Sequence, residues 1–255
     1  MKIGFIGNGN MANAIITRLR THKHFDLYVS GIDFAEVSAY AAELEITAID
    51  GNSALAAEVD VVVLAVKPNI VPLVLAEIDV KDKLLITIAA GLSLSSYPDS
   101  AVVRVMPNLN ARIARAVSAI VANGFVDEAQ LAVAKEIVSS IGSVYEIPEK
   151  DFSTFTAIAG SSPAFVFEFI DAMSRAALSH GMPKALATEI AANAVAGSAE
   201  LLAFEHANPW DLINQVSSPG GTTVAGSRAL HENGFYNTVM QAIDAVIERD
   251  QELGS

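Results

Sequence analysis

The apolar positions of this chain follow two regimes. Up to about residue 150, short apolar runs alternate with stretches of helical spacing. Residues 2–6, 27–31, 46–49, 60–66, 84–90, 102–106, 117–122 and 143–147 read as strands. DVVVLAV and LLITIAA are apolar on both faces, as in a parallel sheet covered on both sides. Residues 10–20, 34–44 and 127–140 have helical spacing, and Pro68 is placed to open another helix. Strands alternating with helices predict an α/β domain with a doubly wound, mostly parallel sheet.

The pattern changes near Glu149 to Asp151. Beyond it no segment reads as a strand. Residues 152–159, 163–180, 183–206, 209–215, 222–233 and 236–253 read as helices, several opening with proline. Two domains are expected, 1–150 and 151–255. Two stretches of small residues, 159–163 (AGSSP) and 217–223 (SSPGGTT), are expected to break the helical half as loops. Helix 163–180 is apolar on nearly every face, and helix 183–206 is rich in alanine. A helix apolar all round needs neighbours that one chain does not supply. Pairing with a second copy supplies them; a compact monomeric bundle is the alternative.

Composition narrows the functions. A net charge of −13 opposes binding to a nucleic-acid backbone. An anionic substrate must therefore be held by local donors. The absence of cysteine excludes disulfides and thiolate metal sites. The chain opens on a strand and has no apolar stretch of spanning length, so no signal peptide, no membrane and a cytoplasmic protein are expected.

The candidate chemistry begins in the first twenty residues, MKIGFIGNGNMANAIITRLR. Gly7, Gly9 and Ala12 supply G-x-G-x-x-A between a strand and a helix, the opening of a dinucleotide site. Gly7 permits a tight turn, Gly9 lets a pyrophosphate approach the backbone, and Ala12 lets the helix lie close on the strand. The phosphates would rest on free N–H groups at the helix N-terminus; an ordinary strand-to-helix turn is the competing reading. After the second strand come Ser30, Gly31, Ile32 and Asp33, with no cation. Asp33 suits either a ribose 2′-hydroxyl or the N-cap of helix 34–44, and Ser30 tolerates a 2′-phosphate. NADH and NADPH both stay open. Asp26 precedes the strand, at the wrong end. Lys67 closes a central strand near where a nicotinamide would sit, unless it is a solvated lysine. Ala89-Ala90-Gly91 has no bulk to obstruct a ring.

In the helical half, Ser217-Ser218-Pro219-Gly220-Gly221-Thr222-Thr223 puts glycines and hydroxyls at a helix N-terminus. That arrangement suits a carboxylate or phosphate; the competing reading is a cap by Thr222 or Thr223. His22, His24, His180, His206 and His231 fall near helix ends or in linkers, without metal-ligand spacing. They are expected at the surface, and no metal is expected. Arg104 is a further cation near a strand end, where a surface or capping charge is an equal reading. A dinucleotide site, an anion loop and few general bases suit hydride transfer, in which the cofactor carries the chemistry.

FIGNGNMA, AVKP, AAG, RVMPN, AGSSPAF and SSPGGTT, in this order, resemble the pyrroline-5-carboxylate reductase family over nearly the whole chain. SSPGGTT is that family's signature. Ser162 and Phe165 stand where the family commonly has glycine and tyrosine, and the Asn-Arg pair common after its second strand is absent. The resemblance implies a Rossmann-type domain and an all-α dimerisation domain, with the active site at the dimer interface. It implies that Gly7, Asn8, Gly9, Asn10 and Met11 hold the pyrophosphate of NADPH, or of NADH. Ser30 and Asn52 would lie at the adenosine part, and Val66, Lys67, Pro68 and Ala90 at the nicotinamide half. Ser218, Gly221, Thr222 and Thr223 would hold the carboxylate of 1-pyrroline-5-carboxylate. Thr223 would meet the ring nitrogen as the catalytic residue, and Glu205 would add a substrate contact. Two other readings remain: a β-hydroxyacid dehydrogenase, which needs a Lys or His acid–base group in its helical half, and a nucleotide-sensing protein without turnover.

Overall fold

The structure, a computed structural model, describes residues 1–254, with side chains to Glu252. Its first part runs β1 (Lys2–Ile6), α1 (Asn10–Leu19), β2 (Asp26–Ser30), α2 (Phe34–Leu44), β3 (Thr47–Ala48), α3 (Asn52–Glu58) and β4 (Val61–Leu64). A 3-10 turn, Pro68–Ile70, then leads into α4 (Val71–Glu77). β5 (Leu84–Thr87), β6 (Val102–Met106), β7 (Ala116–Ala122), α5 (Glu128–Ser139) and β8 (Gly142–Glu146) complete it. The eight strands form one sheet in the order β3-β2-β1-β4-β5-β6-β7-β8. Every pair is parallel except β6 with β7.

The unbroken apolar runs now have a physical reason. Val61 and Val63 of β4 pack with Ile3, Phe5, Ile15 and Leu84 in one buried cluster. Val62 and Leu64 pack with Ile6, Leu55, Val74 and Leu85 in another. Successive side chains of a strand point to opposite faces, so covering both faces demands apolar residues throughout. Full burial of each such side chain contributes roughly 1.5–3 kcal/mol.

Two central strands end earlier than expected. β4 stops at Leu64 and β5 at Thr87. Ala65 still donates its N–H to the Ile6 carbonyl (3.0 Å), and Ile88 donates to that of Leu64 (3.1 Å). After β4 the chain leaves the sheet, because Pro68 has no N–H and restricts the residue before it. α3 is an element that the apolar pattern did not predict. α5 is held by a reciprocal capping box between Asp127 and Gln130.

The remaining chain is helical: α6 (Phe152–Phe155), a π-helical turn Thr156–Ser161, α7 (Ser162–Ser179), α8 (Lys184–Glu205), α9 (Pro209–Gln215), α10 (Thr222–Glu232) and α11 (Phe235–Gly254). The chain divides into two compact units, residues Met1–Ser161 with the segment from Val246 onward, and Ser162–Ala245. In the first unit Phe152, Phe155 and Ala159 pack on Ala119, Met106, Val117 and Val121 of the sheet.

The expected loop at 159–163 is helix instead. Pro163 cannot donate to the carbonyl four residues back, Ala159, and its ring crowds that carbonyl in a regular α-helix. A wider π turn precedes it, as where an insertion disturbs the helical ladder. The Ala159 carbonyl accepts from Asn108 Nδ2 (2.9 Å).

In the second unit, Lys184 clips α8 to α7. Its ammonium donates to Asp171 (2.9 Å), Ser174 (2.7 Å) and Thr188 (3.0 Å). Much of the apolar surface of this unit is uncovered, with Phe204 85%, Val216 65% and Met240 64% exposed. Among the described residues no helix is long and apolar enough to cross a membrane.

Candidate active site

Strand order reverses between β1 and β4, and crevices at such points, outside the carboxyl ends of strands, hold ligands in doubly wound sheets. The Gly7 turn leaves β1 here. Its φ is +102°, a left-handed value that favours glycine, and a Cβ there would lie 2.8 Å from the Ala65 carbonyl oxygen. The Gly7 N–H is held by the Ser30 carbonyl (2.9 Å). Gly9 caps α1 without a side chain, and no acidic residue occupies the first turn of that helix. The first N–H groups of α1 therefore have no side-chain partner. A Cβ on Gly9 would meet nothing within 4 Å. Gly9 is thus not required by packing; the open space above an uncapped helix N-terminus fits a phosphate group. Ala12 is buried, as close packing of α1 on the sheet requires.

The other residues expected at this site gather along the same strand ends. Ser30 is fully buried and donates to Asn52 Oδ1 (2.9 Å). Asn52 in turn donates to Glu77 Oε2 (3.1 Å). Ser30 and Asn52 are thus joined to each other. Glu77 was not foreseen: it lies 25 residues from Asn52 in the chain, on α4, with no local signal. Asp33 caps α2 by accepting from Ala35 and Glu36, so its competing reading is realised. Lys67 is exposed at the end of β4, followed by Pro68, and Val66 lies beside the Gly7 turn. Ala90 is exposed after β5, while Ala89 is buried. Thr87 and Tyr97 share a buried hydrogen bond (2.7 Å), and the Thr87 hydroxyl accepts from the Ala89 N–H. Together they set the path of the Ala89–Gly91 stretch.

Arg104 is neither a surface nor a capping charge. It is almost fully buried, donates to Glu149 (2.8 Å), and lies 4.4 Å over the ring centre of Phe152. The same Glu149 oxygen accepts from the Leu94 N–H (2.7 Å).

The second unit carries the SSPGGTT stretch. Gly220 has a φ of +70°, and Gly221 donates its N–H to the Ser218 carbonyl (2.9 Å). A Cβ on Gly221 would lie 2.6 Å from Ser218 Oγ and 3.0 Å from the Ser218 carbonyl oxygen, so the turn is packed closely at this position. Gly221 is the N-cap of α10, with no side-chain cap, and Thr222 is the first helical residue. The capping role offered to Thr222 or Thr223 is taken by a glycine, which leaves both hydroxyls exposed for other use. The Ser217 hydroxyl is buried without a hydrogen-bond partner. The uncapped helix N-terminus with its exposed threonines fits a polar or anionic ligand. Glu205 is the exposed last residue of α8, before His206 in the left-handed conformation.

His22 and His24 come together with Glu136 of α5, a cluster that chain spacing did not reveal.

Fold and site define a class: a dinucleotide-binding α/β protein extended by a helical half. The chain belongs to the pyrroline-5-carboxylate reductase family. Residues 149–253 match the family model described as pyrroline-5-carboxylate reductase dimerisation, and residues 2–91 match that of NADP oxidoreductase coenzyme F420-dependent. A pyrroline-5-carboxylate reductase from Synechocystis is 36% identical, over all of this chain and 98% of its own length. The crystal structure of 1-pyrroline-5-carboxylate reductase from Streptococcus pyogenes matches with a TM-score of 0.91 at 38% identity, covering 99% of this chain and 98% of that one. The Plasmodium falciparum pyrroline carboxylate reductase, solved with NADP bound, matches at 0.88 and 29% identity, covering 100% and 98%.

Proposed function

We propose that this protein is a pyrroline-5-carboxylate reductase that reduces the C=N bond of 1-pyrroline-5-carboxylate to give L-proline. NADPH is the reductant, with NADH as an alternative. The observation that carries the reading is the uncapped N-terminus of α10, framed by Gly220, Gly221 and two free threonine hydroxyls. It suits a substrate that carries a carboxylate.

When bound, the nicotinamide supplies the hydride. The Gly7 turn and the N–H groups of Asn8, Gly9, Asn10 and Met11 hold the pyrophosphate, with Gly9 leaving room for it. Ser30 and Asn52 shape the adenosine end, and Val66, Lys67, Pro68 and Ala90 border the nicotinamide half. Ser218, Gly221, Thr222 and Thr223 hold the substrate carboxylate, with Glu205 as a further contact. The Thr223 hydroxyl aligns the ring nitrogen. A cyclic imine arrives from water already protonated, so the protein supplies orientation and electrostatics and not a strong acid.

The halves 1–150 and 151–255 divide the work between reductant and substrate. The uncovered apolar face of the helical half supports a homodimer. A cytoplasmic enzyme with no membrane or nucleic-acid partner accords with the charge. The β-hydroxyacid dehydrogenase reading, which needs a Lys or His acid–base group in the helical half, fares worse, because Lys184 is tied to Asp171, Ser174 and Thr188 and the histidines there form no evident site among the described residues.

The test is oxidation of NADPH and NADH with pyrroline-5-carboxylate. Rapid turnover with proline as product is the expected result. Binding of either cofactor without consumption would move the search to hydroxy acids and keto acids.

A further inference from the structure

We propose that His22, His24 and Glu136 form a binding site for a divalent transition metal of the zinc type. The site lies away from the dinucleotide cradle. His22 and His24 sit in the connection between α1 and β2, which enters the amino end of a strand, whereas the Gly7 turn leaves the carboxyl end of its neighbour. Glu136 comes from α5, more than 110 residues along the chain.

Their ligand atoms lie within 4.8 Å of one another. His24 Nε2 is 2.8 Å from Glu136 Oε1, and His22 Nδ1 is 4.0 Å from the same oxygen. Ligands held at about 2.1 Å around a tetrahedral zinc ion stand roughly 3.4 Å apart, so small ring rotations bring all three into place. Two imidazoles and one carboxylate leave a position for water, and this donor set favours zinc, nickel or copper over magnesium or calcium.

The imidazoles are already organised. Phe25, itself buried, lies against both rings, tilted against His24 with centres 4.1 Å apart and parallel to His22 at 6.1 Å. The loop is fixed by His22 N–H to Leu19 (2.8 Å) and Phe25 N–H to His22 (3.1 Å). A bound ion would join the α1–β2 connection to α5 and stabilise the folded chain by linkage.

The experiment is calorimetric titration of the full, untagged chain with Zn²⁺ and with Mg²⁺, alongside thermal unfolding with and without Zn²⁺. Wild type is expected to bind one Zn²⁺ per chain, to unfold at higher temperature with it, and to ignore Mg²⁺. His24→Ala and Glu136→Gln should each weaken Zn²⁺ binding about 10-fold or more and remove the thermal shift. All three groups are at least partly exposed, so neither variant should fail to fold. Equal Zn²⁺ affinity in wild type and both variants, or no binding by wild type, would overturn the proposal. Loss in His24→Ala with full retention in Glu136→Gln would reduce the site to a histidine pair and overturn the three-ligand assignment.

Discussion

Asn108 bridges two backbone segments that would otherwise be unsatisfied: it donates to the Ala159 carbonyl at 2.9 Å and accepts from the Val117 N–H at 3.2 Å. The first bond exists because Pro163 has no proton for that carbonyl. Asn108→Ala leaves both groups buried without partners and should cost about 2–4 kcal/mol, measured by urea unfolding. Pro163→Ala in the same background restores an N–H four residues on and should recover part of the loss. If the double variant is no more stable than Asn108→Ala, the link between proline and asparagine is wrong.

Gly7 and Gly9 are one residue apart and should respond in opposite ways. Gly7→Ala forces an L-residue to a φ of +102° and places a Cβ against the Ala65 carbonyl. It should destabilise the fold by about 1–3 kcal/mol. Gly9→Val enters open space, so stability should stay within about 0.5 kcal/mol of wild type, while NADPH binding is lost. Fluorescence titration of NADPH beside thermal unfolding separates the two. Undiminished binding by Gly9→Val would remove this turn from the cofactor site.

The sequence carried the sheet strands and the two glycine turns well, because their causes are local. A strand covered on both faces is written as an unbroken apolar run, and a bare helix N-terminus as glycine before small residues. What it hid depends on partners distant in the chain. Arg104 looked like a surface cation because Glu149 lies 45 residues away. His22, His24 and Glu136 were invisible as a cluster for the same reason. The 159–163 stretch was misread in another way. Glycine, serines and proline usually mark a loop, but a side chain from β6's end satisfies the carbonyl that the proline orphans, and the helix continues.

Thr223 tests the substrate side. It is exposed at the start of α10 and caps nothing, so Thr223→Ala should leave stability nearly unchanged. A hydrogen bond to a charged group contributes about 1.5–3 kcal/mol; its loss should lower kcat/KM roughly 10- to 100-fold. The Kd for NADPH should not move. Thr223→Ser keeps the hydroxyl and should retain most of the activity. Equal losses of turnover and of cofactor binding in Thr223→Ala would indicate a structural role instead.

Tyr40 ties α2 to the dinucleotide helix, its hydroxyl donating to Asn13 Oδ1 at 3.0 Å. Burial, helped by nearby Glu43, pushes its pKa up to about 12. A phenol in the unfolded chain ionises near pH 10. Between these values the unfolded state holds fewer protons than the folded state, so stability falls as pH rises. The contribution of Tyr40 is fully present below about pH 10 and is lost as pH passes through about 12. Tyr40→Phe has no proton to lose. The stability difference between wild type and Tyr40→Phe, read from urea unfolding at pH steps from neutral to strongly alkaline, should shift against wild type across that window. A difference independent of pH would show that the folded protein does not hold this phenol neutral.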